Sequence, residues 1–211
     1  MTDLLLATRN PGKLVELRRM LDAAHIAGIR VLGLADLPPF PEEPETGATF
    51  AENALAKARD AAKATGLASV ADDSGLAVEV LGGSPGVFSA RWSGSTAGPD
   101  AGRTERDRAN LDLLLEQIGD VPDEHRAAAF VCAAVVALPD GRVEGVEGRV
   151  TGTLVREPRG SNGFGYDPVF VPDGDTRTLA EYTDVEKNAI SHRGNAFRAL
   201  VPRLTELLAA T

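Results

Sequence analysis

Two adjacent carboxylates, Asp72 and Asp73, are the most chemically suggestive feature of the chain. They follow the short apolar run 67–70, which predicts a buried strand, and we expect the pair to lie where that strand ends. Carboxylate oxygens suit Mg²⁺, which often binds through one or two carboxylates together with substrate phosphates. Because neighbouring negative charges repel, a bound cation would also relieve their repulsion. The pair therefore indicates metal-assisted phosphate chemistry, with a solvated acidic turn as the alternative.

A second segment has the character of a phosphate-binding loop. Residues 8–13 read Thr-Arg-Asn-Pro-Gly-Lys and follow the apolar run 4–7. Asn10 is a good N-cap and Pro11 suits the first position of a helix. A helix N-terminus offers free N–H groups and the positive end of the helix dipole to a phosphate, and Lys13 adds a cation. The P-loop pattern is absent, and an ordinary capped turn is the competing interpretation.

A glycine-rich stretch, residues 160–168, carries aromatic side chains at Phe164 and Tyr166. Ring faces exposed among glycines can stack on nucleobases, and the carboxylate of Asp167 could accept hydrogen bonds from a base or ribose. A tight turn with buried aromatic residues would give the same pattern. The basic residue Lys187 adds a cation further along the chain. Glu45 becomes a candidate metal ligand only if its loop folds back toward the acidic pair.

The composition of the 211 residues sets limits on the class of protein. With 43% hydrophobic residues, the chain can form one sizeable domain or two small lobes that share a core. The formal charge of −9 disfavours nonspecific binding to nucleic acid or anionic lipid. We expect neither a membrane span nor a signal peptide. The single cysteine, Cys132, is expected to be a buried core residue, and a cytoplasmic location fits its presence.

Strand and helix patterns intermix along the chain, with one apparent hairpin near residues 127–150. This arrangement predicts an α/β fold with a mixed sheet. Capping boxes at Thr49 and Thr183 mark two helix starts. Further helices are predicted at 11–25, 106–118 and 192–210. Three loop-rich segments that could line one cleft lie at 36–48, 84–103 and 156–168.

Six blocks in this order resemble the Ham1/RdgB family of inosine/xanthosine triphosphate pyrophosphatases. Each block alone is a weak signal, but together they cover the chain from residue 4 to about residue 200. The blocks are residues 8–13, 45–54, 71–76, 85–91, 164–168 and 191–194. Residues 93–103 look like a variable loop, onto which the resemblance carries no role.

The resemblance implies a Mg²⁺-dependent hydrolase that converts ITP, dITP and XTP to the monophosphate and pyrophosphate and so removes deaminated purine nucleotides from the precursor pool. It implies a single α/β domain over residues 1–211. That domain would be an elongated, two-lobed ITPase-like fold, with a long central mixed β-sheet flanked by helices and an active-site cleft between the lobes. It also implies a homodimer. From the net charge and the lack of a long apolar run, we expect neither nucleic acid nor membrane as a partner.

The resemblance also implies roles for individual residues. Asp73 would be the catalytic proton acceptor and a metal ligand, with Glu45 and Asp72 as its partners at the metal. Phe164 would be the ring that stacks on the base, while His192 and Arg193 would contact the base end. The full set of implied substrate-binding residues is Thr8, Arg9, Asn10, Pro11, Gly12, Lys13, Ser74, Phe164, Gly165, Tyr166, Asp167, Lys187, His192 and Arg193.

Two alternatives stay open at this point. One is a Maf-like pyrophosphatase that acts on other modified nucleotides. The other is a nucleotide sensor without enzymatic activity, although a sensor has no need to keep a base and a metal site together.

Overall fold

The computed structural model describes residues 2–26, 28–41, 44–96, 98 and 100–209. In this part of the chain it contains six strands and five helices, joined by loops and short 3₁₀ turns. The loop residues Glu42 and Glu43 and the predicted helix end at Ala210 lie outside the described residues. The strands are β1 (Thr2–Leu6), β2 (Ile29–Gly33), β3 (Ala68–Val78), β4 (Ala127–Ala137), β5 (Val143–Leu154) and β6 (Phe170–Pro172). The helices are α1 (Pro11–Ala23), α2 (Phe50–Thr65), α3 (Arg103–Gln117), α4 (Asp184–Ile190) and α5 (His192–Ala209).

The six strands form one sheet in the order β2-β1-β3-β4-β5-β6. Strand β1 runs parallel to β2 and to β3, with Leu4 opposite Ala68 in the second pair. Strands β5 and β6 are antiparallel, with Gly152 opposite Pro172. The predicted α/β fold with a mixed sheet is therefore confirmed. None of the helices in the described ranges is long and apolar enough to span a membrane.

The described chain divides into two compact units. The first unit takes its residues from 1–73, 132–148 and 193–211. Because side chains alternate along a strand, its strands bury residues on both faces. On one face, Leu4 and Leu6 pack with Leu17 of α1 and Phe197 of α5. On the other face, Ala58 belongs to a separate cluster of small residues that joins α2 to strands β3 and β4.

The second unit takes its residues from 74–131 and 149–192. Its core includes Leu76 of β3, Leu114 of α3 and the aromatic pair Phe130 and Phe170, whose ring centroids are 4.8 Å apart. Arg126 is buried here and donates hydrogen bonds to the main-chain oxygens of residues 118, 154 and 155. The predicted arrangement of two lobes around a cleft stays a prediction.

The predicted helix starts are mostly confirmed, because their caps are local. The side chain of Asn10 accepts the N–H of Gly12 at the start of α1, and the side chain of Thr49 accepts the N–H of Glu52 at the start of α2. Helix α3 begins at Arg103, three residues before the predicted start. The carboxylate of Glu105, which accepts the N–H of residue 102 at 2.7 Å, caps this earlier turn.

One prediction about the acidic segment is wrong. The strand does not end before the two aspartates, because β3 continues from Ala68 to Val78 and includes both of them. Gly75 lets the strand pass close to its neighbours: a Cβ at this position would meet the Ser89 hydroxyl and lie 2.7 Å from the oxygen of Gly86. The Ser89 hydroxyl also accepts the N–H of Leu76, the residue that follows Gly75, at 2.9 Å. Since successive side chains of a strand point to opposite faces, adjacent carboxylates in β3 project away from each other.

Candidate active site

Asp72 projects toward the face of the sheet that carries α1 and α5. Only 5% of the residue is exposed. Both of its carboxylate oxygens accept hydrogen bonds from the ammonium of Lys13 at 2.8 Å, and the Arg193 Nε lies 3.2 Å from Oδ2. Burial raises the pKa of Asp72, but the charges and hydrogen bonds of the two cations lower it further, so the net pKa lies below its ordinary value.

The cations around this carboxylate also interact with the charge of Glu16. Two cations, Lys13 and Arg193, share the single carboxylate of Asp72. The thiol of Cys132 lies 3.9 Å from the same carboxylate, but burial raises its pKa, which keeps the thiol neutral near pH 7. A carboxylate that already accepts hydrogen bonds from two cations is better suited to holding those cations in place than to binding a metal.

Asp73 projects toward the opposite face, which carries α2. Its Oδ2 accepts a hydrogen bond from the Nδ2 of Asn53 at 3.0 Å. Asn53 is buried, with 1% exposure, and its own Oδ1 accepts the N–H of Gly47 at 2.8 Å. The glycine N–H can only donate, so the oxygen of the asparagine amide must face it and the amide nitrogen must face the aspartate. Asn53 therefore fixes the orientation of the Asp73 carboxylate.

Lys57 joins Asp73 to the loop that precedes α2. Its Nζ lies 2.9 Å from Glu45 Oε1 and 3.6 Å from Asp73 Oδ1, and it donates to the main-chain oxygen of Asp72 at 2.8 Å. Burial lowers the pKa of Lys57, but the hydrogen bond to Glu45 and the neighbouring carboxylate charges raise it above its ordinary value. The loop therefore does fold back toward the acidic segment, so that Glu45 and Asp73 contact the same positive charge.

The contacts of Glu45, Asp72 and Asp73 indicate which of these residues could hold a metal ion. In the ranges that the structure describes, no group of three or more His, Cys, Asp or Glu side chains converges as a metal site. Glu45 and Asp73 nevertheless direct oxygens at one ammonium, Lys57 Nζ, which shows that a cation is favourable between them. Two carboxylates are enough for Mg²⁺ when substrate phosphates complete its coordination. The predicted metal role of Asp72 stays a prediction, and its contacts favour the role of holding cations.

The predicted phosphate loop forms the start of α1 in the first unit. Thr8 Oγ1 accepts the N–H of Asn10 at 3.1 Å, and Asn10 Oδ1 accepts the N–H of Gly12 at 2.9 Å. Arg9, Asn10, Pro11 and Gly12 are exposed at this turn. The loop is thus a capped helix start, and Lys13 is held by its ion pair rather than extending into solvent.

The second unit carries a separate cluster around Phe164, a residue that is 54% exposed. Asp167 Oδ2 accepts the N–H of Phe164 at 2.7 Å and also a hydrogen bond from Lys187. Lys187 Nζ lies 4.7 Å from the centroid of the Phe164 ring, and Arg103 Cζ lies 4.9 Å from it. Burial raises the pKa of Asp167 more than the Lys187 charge lowers it. The cluster therefore presents an exposed ring beside two cations.

The other predicted contacts in this unit differ in exposure. Tyr166 is buried and donates its hydroxyl to the main-chain oxygen of Ser89 at 2.9 Å, so its ring is a core residue and not a stacking surface. Gly165 has a φ of 60°, which a glycine adopts without strain, at the turn after the exposed ring. Ser74 is partly buried in β3, and His192 stacks on Phe130 with ring centroids 5.1 Å apart.

Three residues that contact the predicted site were missing from the sequence-based set: Asn53, Lys57 and Arg103. Asn53 and Lys57 are four residues apart, which places them on one face of α2 among alanines. Two polar residues at this spacing, on a helix face made mostly of alanine, could have indicated from the sequence that they contact the site. Arg103 gave no such signal, because its contact with a ring 61 positions away in the chain depends on the tertiary fold.

Basic side chains held in place by carboxylates suit phosphate groups, and an exposed aromatic ring suits a stacked base, so the two clusters indicate a nucleotide-binding protein. Comparison with known proteins identifies the family within this class. The chain belongs to the Ham1 family, whose sequence model matches residues 4–203.

Close relatives extend over the whole chain. A protein of Streptomyces coelicolor named dITP/XTP pyrophosphatase is 59% identical over 208 residues, which cover 99% of this chain and 100% of the relative. A crystal structure named as a nucleoside-triphosphatase and dITP/XTP pyrophosphatase of Mycobacterium abscessus is 53% identical with a TM-score of 0.80, covering 96% of this chain and 100% of the other. The HAM1 protein structure of Coxiella burnetii is 40% identical with a TM-score of 0.85, covering 98% and 100%.

Proposed function

We propose that this protein is a nucleoside-triphosphate pyrophosphatase that hydrolyses ITP, dITP and XTP to the monophosphate and pyrophosphate. By this reaction it would remove deaminated purine nucleotides from the precursor pool. The observation that carries the proposal is the 59% identity, over nearly the whole chain, to a protein named dITP/XTP pyrophosphatase. The Maf-like alternative and the sensor alternative are not favoured, because the similar proteins carry the name of an ITP- and XTP-type enzyme.

The cation of the reaction is proposed to be Mg²⁺, held by Glu45 and Asp73. The support for these two ligands is that both already contact one positive charge, that of Lys57. When bound there with substrate, Mg²⁺ would neutralise negative charge on the phosphate oxygens. Because Mg²⁺ would replace the contacts of Lys57 with these two carboxylates, the ammonium could then donate to a phosphate oxygen and keep its hydrogen bond to the main-chain oxygen of Asp72.

Asp73 is proposed to be the catalytic residue that orients or deprotonates the attacking water. Asn53 supports this role by fixing one carboxylate oxygen at 3.0 Å, which leaves the other oxygen nearer to Lys57. Lys13 is proposed to contact the triphosphate, with Asp72 as the residue that holds it at the N-terminal turn of α1. The role of Arg193 at the base end stays a prediction, and its hydrogen bond to Asp72 favours a contact with phosphate.

Recognition of the base is assigned to the second unit. Phe164 offers the exposed ring on which a purine would stack, with a gain of about 1–3 kcal/mol per stacked base. Lys187, held by Asp167, supplies a donor beside the ring that suits an oxo group of the base. Adenine presents an amino group at its 6-position and would leave such a donor unpaired. A homodimeric state is part of the proposal and rests on the family resemblance, while the proposed cytoplasmic location rests on the single cysteine.

A nucleotide panel with Mg²⁺ tests the proposed reaction. ITP, dITP, XTP, GTP, ATP, dUTP and a methylated pyrimidine triphosphate are compared, with pyrophosphate and phosphate measured separately. We expect pyrophosphate from the first three and loss of activity with a chelator, restored by added Mg²⁺. A preference for dUTP or the methylated nucleotide would favour the Maf-like alternative. Absence of pyrophosphate release from any nucleotide would favour a sensor.

Two variants test the residue roles. Asp73→Asn should lower kcat by about a hundredfold or more, because it removes the general base. Near wild-type turnover of ITP by this variant would overturn the assignment. Lys13→Ala should weaken triphosphate binding or catalysis, whereas unchanged kinetics at limiting ITP would contradict its proposed contact with phosphate.

A further inference from the structure

Arg103 lies where the family resemblance assigns no role, yet it contacts the ring that the proposed function uses. It is the first residue of α3. Its guanidinium carbon lies 4.9 Å from the centroid of the Phe164 ring, within the range of a cation–π contact. The Lys187 ammonium lies at a comparable distance, 4.7 Å. Both cations therefore contact the same ring.

A second observation places the first turn of α3 at this ring. Asp107, one turn along the helix from Arg103, lies 3.8 Å from its Nε. The negative charge of Asp107 also raises the pKa of Tyr166 and Asp167, which follow Phe164 by two and three positions. Asp107 therefore lies close to the 164–167 turn, and its ion pair keeps the Arg103 side chain on that side of the helix.

The polar side chains that the structure places over the ring of Phe164 are both pure donors. Lysine and arginine carry N–H donors and no acceptor. Two carboxylates lie close by and each is already paired: Asp167 Oδ2 accepts the N–H of Phe164 and the Lys187 ammonium, and Asp107 forms an ion pair with Arg103. Because both donors lie over the ring, a purine that stacks on Phe164 would move them to its own edge, where they match oxo groups and oppose amino groups.

The purines differ in the oxo and amino groups that they carry at the 6- and 2-positions. Hypoxanthine has one oxo group, xanthine has oxo groups at both the 6- and the 2-position, and guanine replaces the 2-oxo group by an amino donor. A base with two oxo groups needs two donors, and Phe164 has two donor side chains beside it. Guanine would place its amino group against a donor, and the carboxylates of Asp107 and Asp167 are already paired with the two cations.

We propose that Arg103 is a specificity-determining residue that donates to the 2-oxo group of xanthine and disfavours the 2-amino group of guanine. This inference rests on the proposed function, since it takes a purine to be stacked on Phe164. It gives a physical reason why an enzyme for XTP would discriminate against GTP, although both bases share the 6-oxo group.

The test compares kcat/KM for XTP, ITP and GTP in four proteins. In Arg103→Ala, the value for XTP should fall by about tenfold, which is typical of losing a hydrogen bond from a charged donor. The value for ITP should change much less, since hypoxanthine has no 2-substituent. Arg103→Gln, which adds an acceptor, should raise GTP relative to XTP. The control Arg106→Ala removes the same charge from an exposed position of the same helix and should leave all three ratios unchanged.

Binding of XMP, IMP and GMP, measured by calorimetry, separates this inference from the proposed reaction. If the wild type hydrolyses XTP but Arg103→Ala lowers all three substrates equally, or none, the inference is wrong and the proposed function stands. If no triphosphate is hydrolysed but XMP binds in a manner that depends on Arg103, the inference holds and the proposed function is wrong. If the wild type neither hydrolyses XTP nor binds any of the three monophosphates, both are overturned. Melting curves of the variants check that each is folded. If Arg103→Ala does not fold, the comparison of Arg103→Gln with the wild type still decides the test.

Discussion

Replacement of Asp72 by Asn should destabilise the protein by about 3 kcal/mol at pH 7. Removing one partner of a buried ion pair costs about 3–5 kcal/mol, because the other charge is left buried and unpaired. The Asp72 side chain is 2% exposed and contacts two cations, Lys13 and Arg193. Each cation is 19% exposed, so both can turn partly toward water, which places the expected loss at the lower end of the range.

The pH dependence of this loss has a defined sign. The folded-state pKa of Asp72 lies below its unfolded value, so its stabilising contribution is fully present above about pH 4 and is lost as the pH falls through the folded pKa. Asparagine does not titrate. The difference in free energy of unfolding between wild type and variant should therefore be largest near pH 7 and should decrease in acid.

Urea unfolding measures this difference, with the fluorescence of the single tryptophan, Trp92, and far-ultraviolet circular dichroism as probes. All proteins are compared at one concentration and at several pH values. A loss below about 1 kcal/mol at pH 7, or a difference that does not depend on pH, would refute the assigned ion-pair role.

The adjacent residue provides a matched control. In Asp73→Asn the new side chain can still accept the Asn53 amide hydrogen, and the Asp73 side chain is more exposed, at 13%. Its free energy of unfolding should change by less than about 1 kcal/mol, although its turnover should be nearly abolished. A double-mutant cycle of Asp72→Asn with Lys13→Met should also show a coupling energy of about 1 kcal/mol or more. Additive effects in that cycle would mean that the two side chains act independently.

Three further substitutions test other contacts. Asn53→Ala should cost about 1–3 kcal/mol in unfolding free energy and lower kcat, because the Gly47 N–H loses its acceptor; unchanged urea midpoints and kinetics would contradict this. Gly75→Ala should cost about 1–3 kcal/mol, since the added methyl group meets the Ser89 hydroxyl, and a melting temperature equal to wild type would show that the strand accommodates it. Burial raises the folded pKa of Asp167, so its contribution to stability is present below about pH 4 and is lost as the pH rises through the folded pKa. The unfolding free energy of wild type relative to Asp167→Asn should therefore fall as the pH rises, and a constant difference would count against this.

The parts of the fold that depend on local interactions could be predicted from the sequence. The caps of α1, α2 and α4 use a side chain and an N–H two or three residues away, so the sequence places those helix starts correctly. The continuation of β3 through the acidic pair could not be predicted. It depends on Gly75 fitting against Ser89, which is 14 positions further along the chain.

The same division applies to the candidate site. Family resemblance selects Asp73 from the acidic pair and Phe164 from the glycine-rich stretch, because the order of the blocks is a property of the sequence. It does not reveal Lys57 and Asn53 as the partners of Asp73, since these contacts form between a helix and a strand. Nor does it reveal Arg103, which reaches the aromatic ring from the start of another helix.

The sequence by itself determined the class of fold, the family and the chemical groups available: two adjacent carboxylates, nearby lysines and an aromatic residue among glycines. Only the tertiary structure decided that the two carboxylates act separately. Strand geometry turns Asp72 toward Lys13 and Arg193, which are 59 and 121 positions away, and turns Asp73 toward α2. Electrostatic interactions depend on distance in space, so neighbours in sequence acquire different roles when the fold places them on opposite faces of a sheet.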